Sequence, residues 1–155
     1  MMLFDFIIGN ADRHQSNWAV LASKKGNIIS VRECPLYDNG SSLCCYVNET
    51  QIPRYFQKDS IPLESLVDSK SRSIIRINGK VKARPKHSDV ARYLISSYSV
   101  AKSYANDYID ALSSATIDAL MSNYSSDILS LRKNNLIRVY LKKKIELLKW
   151  ILEES

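Results

Sequence analysis

The second half of the chain repeats its apolar residues at helical spacing, and this pattern constrains the fold more than any other feature. Apolar side chains recur every three or four residues across 90–101, which is the period of one face of an α-helix. Residues 104–124 continue in mostly the same way, and 132–153 form one long apolar stripe. Ser88 or Asp89 is the expected cap of the first of these helices. The pattern predicts a domain that is mainly α-helical.

The first half of the chain shows turn signals and short apolar runs instead. Residues 18–22 and 28–32 flank Ser-Lys-Lys-Gly-Asn, which predicts a β-hairpin. Residues 3–8 fit either a helix or a strand. The Asn-Gly pair inside 74–81 predicts a second hairpin with a type I′ turn. Together with the helices, these elements predict an α+β fold that forms one domain over residues 1–155.

Composition excludes several classes of protein. The 22 Lys and Arg residues against 16 Asp and Glu give a charge of +6, a mild excess that favours anionic partners without naming one. Three cysteines without Cys-x-x-Cys spacing predict neither a disulfide framework nor a zinc site. The apolar opening is short and lacks the basic start of a signal peptide. We therefore expect a cytoplasmic protein that does not contact a membrane.

Two polar segments flank the first predicted hairpin. One reads Gly-Asn-Ala-Asp-Arg-His-Gln-Ser-Asn over 9–17, and the other reads Pro-Leu-Tyr-Asp-Asn-Gly over 35–40. Phosphoryl transfer needs a carboxylate that orients the attacking hydroxyl and oxygen ligands that hold Mg²⁺ against the ATP phosphates. Asp12, Asn17 and Asp38 have these chemistries, and the step from Asp12 to Asn17 equals that from base to metal ligand in the kinase catalytic loop.

The two segments resemble the catalytic and metal loops of HipA-like kinases. Asp-Arg-His-x-x-Asn over 12–17 has the reversed order that HipA-like and phosphoinositide kinases share. The longer frame Ile-Gly-Asn-x-Asp-x-His-x-x-Asn, followed by Leu-Tyr-Asp-Asn-Gly-Ser-Ser-Leu, is similar to HipA-like proteins, and the match covers residues 6–43. The resemblance implies a kinase C-lobe-like helical domain with a short β-hairpin around the catalytic loop.

The resemblance also implies a role for each polar residue of the two loops. Asp12 would be the catalytic base, and His14 would support catalysis, chiefly by fixing the shape of the loop. Asn17 and Asp38 would hold Mg²⁺, and together with Asn10 they would line the site of the co-substrate ATP.

The family's activity is that of a serine/threonine protein kinase, commonly a toxin of a toxin-antitoxin pair that acts on a protein substrate and binds a helix-turn-helix antitoxin. Only eleven residues precede Asp12, and the four glycines form no Gly-x-Gly pattern. The lobe that grips the ATP phosphates is therefore expected to be missing from this truncated form. We expect little turnover from the chain alone and a separate N-lobe subunit as a partner.

Other interpretations stay open for the whole chain and for single residues. A non-catalytic remnant or a partner-binding subunit would keep the motif without the activity, and a phosphoinositide kinase shares only the Asp-Arg-His order. Asp12 alone fits a cap, and Asp38-Asn39-Gly40 alone fits a β-turn. Arg13 would either meet a phosphate or pair with an acid.

The basic stretch 70–87 contains seven Lys and Arg residues and no acid. It fits either a patch for an acidic partner or a solvated hairpin. Because no RNA-binding motif accompanies it, the hairpin is favoured and direct nucleic-acid binding is not expected. His87 is expected at the surface, Thr116 as the cap of a short helix and Lys142, Lys143 and Lys144 mostly on the wet face of the last one. The aromatic residues expected in the core are Trp18, Tyr93, Tyr98 and Trp150.

Overall fold

A computed structural model describes residues 1–57, 61–79 and 83–155. The fold is mainly helical with a two-stranded antiparallel sheet, as the α+β prediction required. None of the described helices is long and apolar enough to span a membrane. The α-helices are α1 Met2–Ile8, α2 Ile61–Glu64, α3 His87–Ser97, α4 Ser99–Ala111, α5 Ser114–Ser122 and α6 Leu131–Glu153. Tighter or wider helical turns cover Gln15–Asn17, Glu49–Phe56 and Ser65–Ser69.

The first predicted hairpin is confirmed. Strand β1, Val20–Lys25, pairs antiparallel with β2, Ile28–Glu33, and Gly26 makes the turn with a φ of 61°. Both strands are exposed along their whole length, and Ile28 keeps 74% of its surface in contact with solvent. The hairpin therefore contributes almost nothing to the hydrophobic core.

The second predicted hairpin is wrong over the part of it that the structure describes. Residues 74–79 form bends and a turn but no strand, and positions 80 and 81 lie outside the described residues. Asn78 and Gly79 nevertheless adopt the predicted turn conformation. Their φ values are 52° and 68°, and a type I′ turn requires positive values at both positions. A single bridge between Arg72 and Lys86 is the β-pairing found nearby.

Helix α6 is the centre of the core. Leu148 and Ile151 on its apolar stripe are fully buried, and the helix packs against α1, α3, α4 and α5. Residues 3–8, which fitted helix or strand equally well, form most of α1, and Phe6 is fully buried there. A smaller cluster forms where Leu136 meets Ile52 of the Glu49–Phe56 segment.

Two predicted helix caps differ from those observed. Helix α3 begins one residue before Ser88, because the Asp89 carboxylate accepts a hydrogen bond from the backbone of Lys86 at 3.0 Å. Helix α5 is capped by Ser113, whose hydroxyl accepts from the backbone N–H of Thr116 at 3.1 Å. Each helix therefore starts earlier than its apolar pattern does.

Several burial predictions are wrong. Trp18, Tyr98 and Trp150 are 44%, 50% and 45% exposed, and Tyr93 is only partly buried. Trp150 lies under the Arg92 guanidinium at the surface, 4.3 Å from the ring centre. Long amphipathic side chains can cover a surface without entering the core. Two residues that were expected at the surface are instead buried: His87 is 2% exposed, and Lys144 is fully buried.

Candidate functional site

The candidate catalytic loop begins where α1 ends. Gly9 terminates the helix in the left-handed region with a φ of 67°. It also lies directly against the hydroxyl of Tyr140 in α6, because a Cβ atom at this position would be 2.1 Å from that oxygen. Glycine is therefore required here both for backbone conformation and for space.

Side-chain amides fix the backbone of Asp12 on both sides. Its N–H donates to Oδ1 of Asn10 at 3.0 Å, and its carbonyl accepts from Nδ2 of Asn17 at 2.8 Å. Asn10 and Asn17 are buried, whereas Asp12 is exposed. This arrangement presents the Asp12 carboxylate to solvent from a fixed main chain, which is what a base acting on an external hydroxyl needs.

Arg13 is a buried arginine that joins the two predicted loops. It is 2% exposed and pairs with the Asp5 carboxylate at 2.9 Å. One terminal nitrogen, Nη1, donates to the carbonyls of Asn17 at 2.8 Å and Tyr37 at 2.6 Å, and Nη2 donates to Oδ1 of Asn39. Of the two roles considered for Arg13, the structure shows the pairing with an acid. Burial raises the pKa of Asp5, and Arg13 partly offsets that rise.

Further hydrogen bonds hold the predicted metal loop against the catalytic loop. The hydroxyl of Tyr37 donates to the carbonyl of Ser16 at 2.9 Å, and the backbone of Ala11 donates to the carbonyl of Ser41 at 3.3 Å. Between these contacts Asp38 is exposed and has a φ of 53°. Non-glycine residues adopt this region rarely, and such positions are concentrated at functional sites.

Asn17 and Asp38 carry oxygen atoms of the kind that bind Mg²⁺, but too few protein groups are present among the described residues to enclose a metal without other ligands. No group of three or more His, Cys, Asp or Glu residues able to hold a metal occurs in the described part of the chain. Magnesium in kinases is held by one or two protein oxygens together with water and phosphates. Because Nδ2 of Asn17 donates to the carbonyl of Asp12, the Oδ1 atom of Asn17 could bind a cation. Asp38 could supply its carboxylate.

His14 forms a hydrogen bond within the loop. It is exposed and caps the short helical turn Gln15–Asn17, where its Nδ1 accepts from the backbone of Ser16 at 3.3 Å. The contact orders the segment that leads to Asn17.

A buried polar chain behind the catalytic loop was not predicted. Nε2 of His87 contacts the carbonyl of Asn10 at 2.9 Å, and Nδ1 contacts the hydroxyl of Ser71 at 2.9 Å. Nζ of Lys144 donates to the same hydroxyl at 3.0 Å. Because a carbonyl can only accept, Nε2 carries the proton and Ser71 donates to Nδ1.

Burial changes the proton affinity of both basic groups in this chain. It lowers the pKa of Lys144 to about 7. Burial and the nearby Lys144 lower the pKa of His87 to about 4. The sequence contains an indication of burial for Lys144 but not for His87. Lys144 lies four residues from both Tyr140 and Leu148 on the apolar stripe of α6.

The basic segment folds against the catalytic loop and is not a solvated hairpin over its described residues. Nη2 of Arg84 donates to the carbonyl of Ala11 at 2.7 Å. Lys86 pairs with Asp68 at 2.8 Å. The segment therefore places positive charge beside Asp12.

Comparison with protein family models gave no match. The comparisons with curated proteins and with solved structures also gave none. The likeness to HipA-like kinases consequently rests on the motif residues within 6–43.

Proposed function

We propose that this chain is the C-terminal lobe of a HipA-like, ATP- and Mg²⁺-dependent serine/threonine kinase that acts on a protein substrate in the cytoplasm. The observation that carries the proposal is the set of hydrogen bonds made by Arg13. Through them one buried side chain fixes the loop of Asp12 and Asn17 against the loop of Asp38. Two segments separated by an exposed hairpin thereby lie against each other, which supports a shared site.

The proposed division of labour follows from the exposure and contacts of each residue. Asp12 receives the proton of the acceptor hydroxyl, because its carboxylate is exposed on a fixed backbone. Asn17 and Asp38 hold the cation, which would neutralise charge on the transferred phosphoryl group. Asn10 and His14 keep the loop in shape through their contacts with Asp12 and Ser16.

In such a kinase, a separate segment or subunit would bind the ATP phosphates. No Gly-x-Gly pattern occurs in the sequence, and positioning of the phosphates supplies most of the catalysis in this class. We therefore expect little turnover from these 155 residues by themselves. A role as a toxin and a helix-turn-helix antitoxin as partner are implied by the family resemblance.

Transfer of phosphate from ATP to protein, measured with and without an added N-lobe polypeptide, tests this proposal. In the active mixture Asp12→Asn and Asp38→Asn should each lower kcat by about a hundredfold or more, since each removes an oxyanion from the reacting centre. Asp127→Asn, at an exposed position, is the matched control and should leave the rate unchanged. Full activity in either of the first two variants would contradict the site assignment.

The exposed hairpin favours a second candidate, a non-catalytic subunit that binds a partner. An isolated two-stranded sheet is marginally stable in water, and β1 and β2 leave Val20, Ile28 and Ile29 58%, 74% and 67% exposed. Partner binding that survives Asp12→Asn and Asp38→Asn, together with no phosphate transfer in any mixture, would favour this candidate.

A further inference from the structure

A cavity of about 100 Å³ lies beside the catalytic loop. Gly9 and Ala11 form one side of it, and Ser42, which follows the metal loop, forms another. The basic segment closes the cavity with Lys70, Ser71 and Arg72. A space of this size accommodates several water molecules or one small anion.

The charge around the cavity is positive. Lys70 and Arg72 both line it, and neither forms an ion pair with any described residue. Arg72 reaches the carbonyl of Arg84 at 3.3 Å, and Arg84 in turn contacts the carbonyl of Ala11. No carboxylate is among the described residues that line the cavity. Burial raises the pKa of the Cys44 thiol to about 12, so that this lining residue stays neutral.

Lys144 lies behind the cavity and forms no ion pair at contact distance with a described residue, although the Asp68 carboxylate acts on its charge from farther away. Its side chain is fully buried, and Nζ donates to Ser71, which also lines the cavity. Nζ is 4.6 Å from the ring centre of Phe6 and 5.5 Å from that of Tyr140, and it pairs with no carboxylate in the described chain. A buried ammonium group is costly unless an opposite charge compensates it, and this cost lowers the pKa of Lys144 to about 7; a bound anion would favour its charged form.

The hydroxyl of Ser42 is a second unsatisfied group at the same place. The residue is 7% exposed, and its Oγ has no hydrogen-bond partner among the described residues. Folded proteins leave few buried polar atoms unpaired, and a water molecule or an ion bound at the position is one explanation for such an atom. A hydroxyl can donate to an oxyanion, as can the guanidinium of Arg72 and the ammonium of Lys70.

We propose that this cavity binds a small oxyanion, a phosphate or a carboxylate, through Ser42, Lys70, Arg72 and the charge of Lys144. The site is next to Ala11 and therefore next to Asp12. If the proposed kinase function holds, the anion is an acidic or phosphorylated side chain of the acceptor protein, and the site selects acceptors with negative charge near the phosphorylated hydroxyl. That assignment of the source rests on the proposed function, whereas the anion site itself does not.

Sulfate binding to the full chain, without ATP, tests the site. The titration follows the backbone amide signals of Ser42 and Ser71 by NMR, with chloride at matched ionic strength as the reference. Arg72→Gln and Lys144→Met should each raise the Kd for sulfate at least tenfold. Lys149→Met, on an exposed face of the same helix, should change it less than twofold. Arg72 is exposed, so its variant keeps the test valid if the buried substitution unfolds the chain.

A parallel titration with a blocked phosphoserine amide separates the two sources of the anion. Tighter binding of phosphoserine than of sulfate assigns the site to a side chain of the acceptor, and equal or weaker binding assigns it to a free oxyanion; both results support the site. Signals that shift only at scattered surface lysines, or a Kd unchanged in Arg72→Gln and in a folded Lys144→Met, would overturn it. Since no phosphate transfer is measured, this outcome is independent of the kinase test.

Discussion

At the scale of single residues, buried polar side chains hold the loops that carry the exposed carboxylates of the candidate site. Asp12 and Asp38 are exposed, but Asn10 and Asn17 hold the backbone of Asp12, and Arg13 holds the residues on either side of Asp38. Hydrogen bonds to ionised groups are about twice as strong as neutral ones. The geometry of the loops is therefore expected to be most sensitive to changes in these supporting side chains.

Replacement of Arg13 by Ala should be strongly destabilising. The change leaves the Asp5 carboxylate buried without its partner, and breaking a buried ion pair in this way costs about 3–5 kcal/mol. Urea unfolding monitored by circular dichroism measures the loss. Arg32→Ala on the exposed strand β2 is the control and should stay within about 0.5 kcal/mol. Similar small changes in both variants would show that Arg13 does not hold the loops together.

The stability of the protein should fall at acid pH because of His87. Its pKa is about 4 in the fold against an ordinary value of 6.5, so the unfolded chain binds more protons between these values. The stabilisation that His87 contributes is fully present above pH 6.5. It is lost as the pH decreases towards 4, by about 3 kcal/mol in all.

Urea unfolding at several pH values, comparing wild type with His87→Gln, isolates this contribution. The variant should lose that part of the pH dependence. His14→Gln changes the exposed histidine and should leave the dependence in place. A wild-type curve as flat as that of His87→Gln would mean that His87 is not held neutral.

At the scale of elements, the candidate catalytic loop is positioned by the contact between the end of α1 and the middle of α6. Gly9 lies against Tyr140, and α6 also carries Lys144, which reaches the same loop through Ser71 and His87. The long helix therefore supports the site as well as the core. Its apolar stripe gives it the rigidity that such support requires.

Gly9→Ala should destabilise the protein for two separable reasons. The φ of 67° costs a non-glycine residue about 1–2 kcal/mol, and the new Cβ would meet the Tyr140 hydroxyl at 2.1 Å. In a Tyr140→Phe background that oxygen is gone, and the nearest ring carbon is 3.2 Å away. The cost of Gly9→Ala should therefore decrease to about the backbone contribution.

A double-mutant cycle of unfolding free energies measures this coupling. Gly79→Ala has a similar φ of 68° but nothing within 4 Å, so it provides the backbone cost alone. Equal costs for Gly9→Ala with Tyr140 and with Phe at position 140 would contradict the close approach of the two helices.

At the scale of the whole molecule, the chain divides into a packed helical body and an exposed hairpin. The body has one main core, in which α6 meets α1, α3, α4 and α5. The hairpin Val20–Glu33 pairs only with itself in the described structure and has no buried residue. Local stability follows buried apolar contact, so the two parts are expected to differ in dynamics.

Amide hydrogen exchange should show this difference directly. Amides in β1 and β2 are expected to exchange through local openings with a free energy near zero, whereas those around Leu148 should need global unfolding. Binding of an N-lobe polypeptide should slow exchange in the hairpin if that surface is covered. Uniform protection of hairpin and α6 in the free chain would contradict the division into two parts.

The sequence by itself determined the class of the fold, the hairpin and the long terminal helix. These elements carry periodic or turn signals that are local, such as the spacing along 132–153 and the Ser-Lys-Lys-Gly-Asn turn at 23–27. It also predicted a turn at 9–12, because a polar cluster follows an apolar segment there. Local chemistry was sufficient in each of these cases.

Tertiary structure alone decided which side chains are buried and what joins the two loops. Arg13 meets Asp5, Tyr37 and Asn39 across separations that no local pattern encodes. His87 was expected at the surface because its neighbours are polar, yet it is buried because Asn10 and Ser71 supply hydrogen-bond partners that pay for its desolvation. Trp150 shows the opposite error: it was expected in the core, yet it lies at the surface, where the Arg92 guanidinium covers its ring without enclosing it.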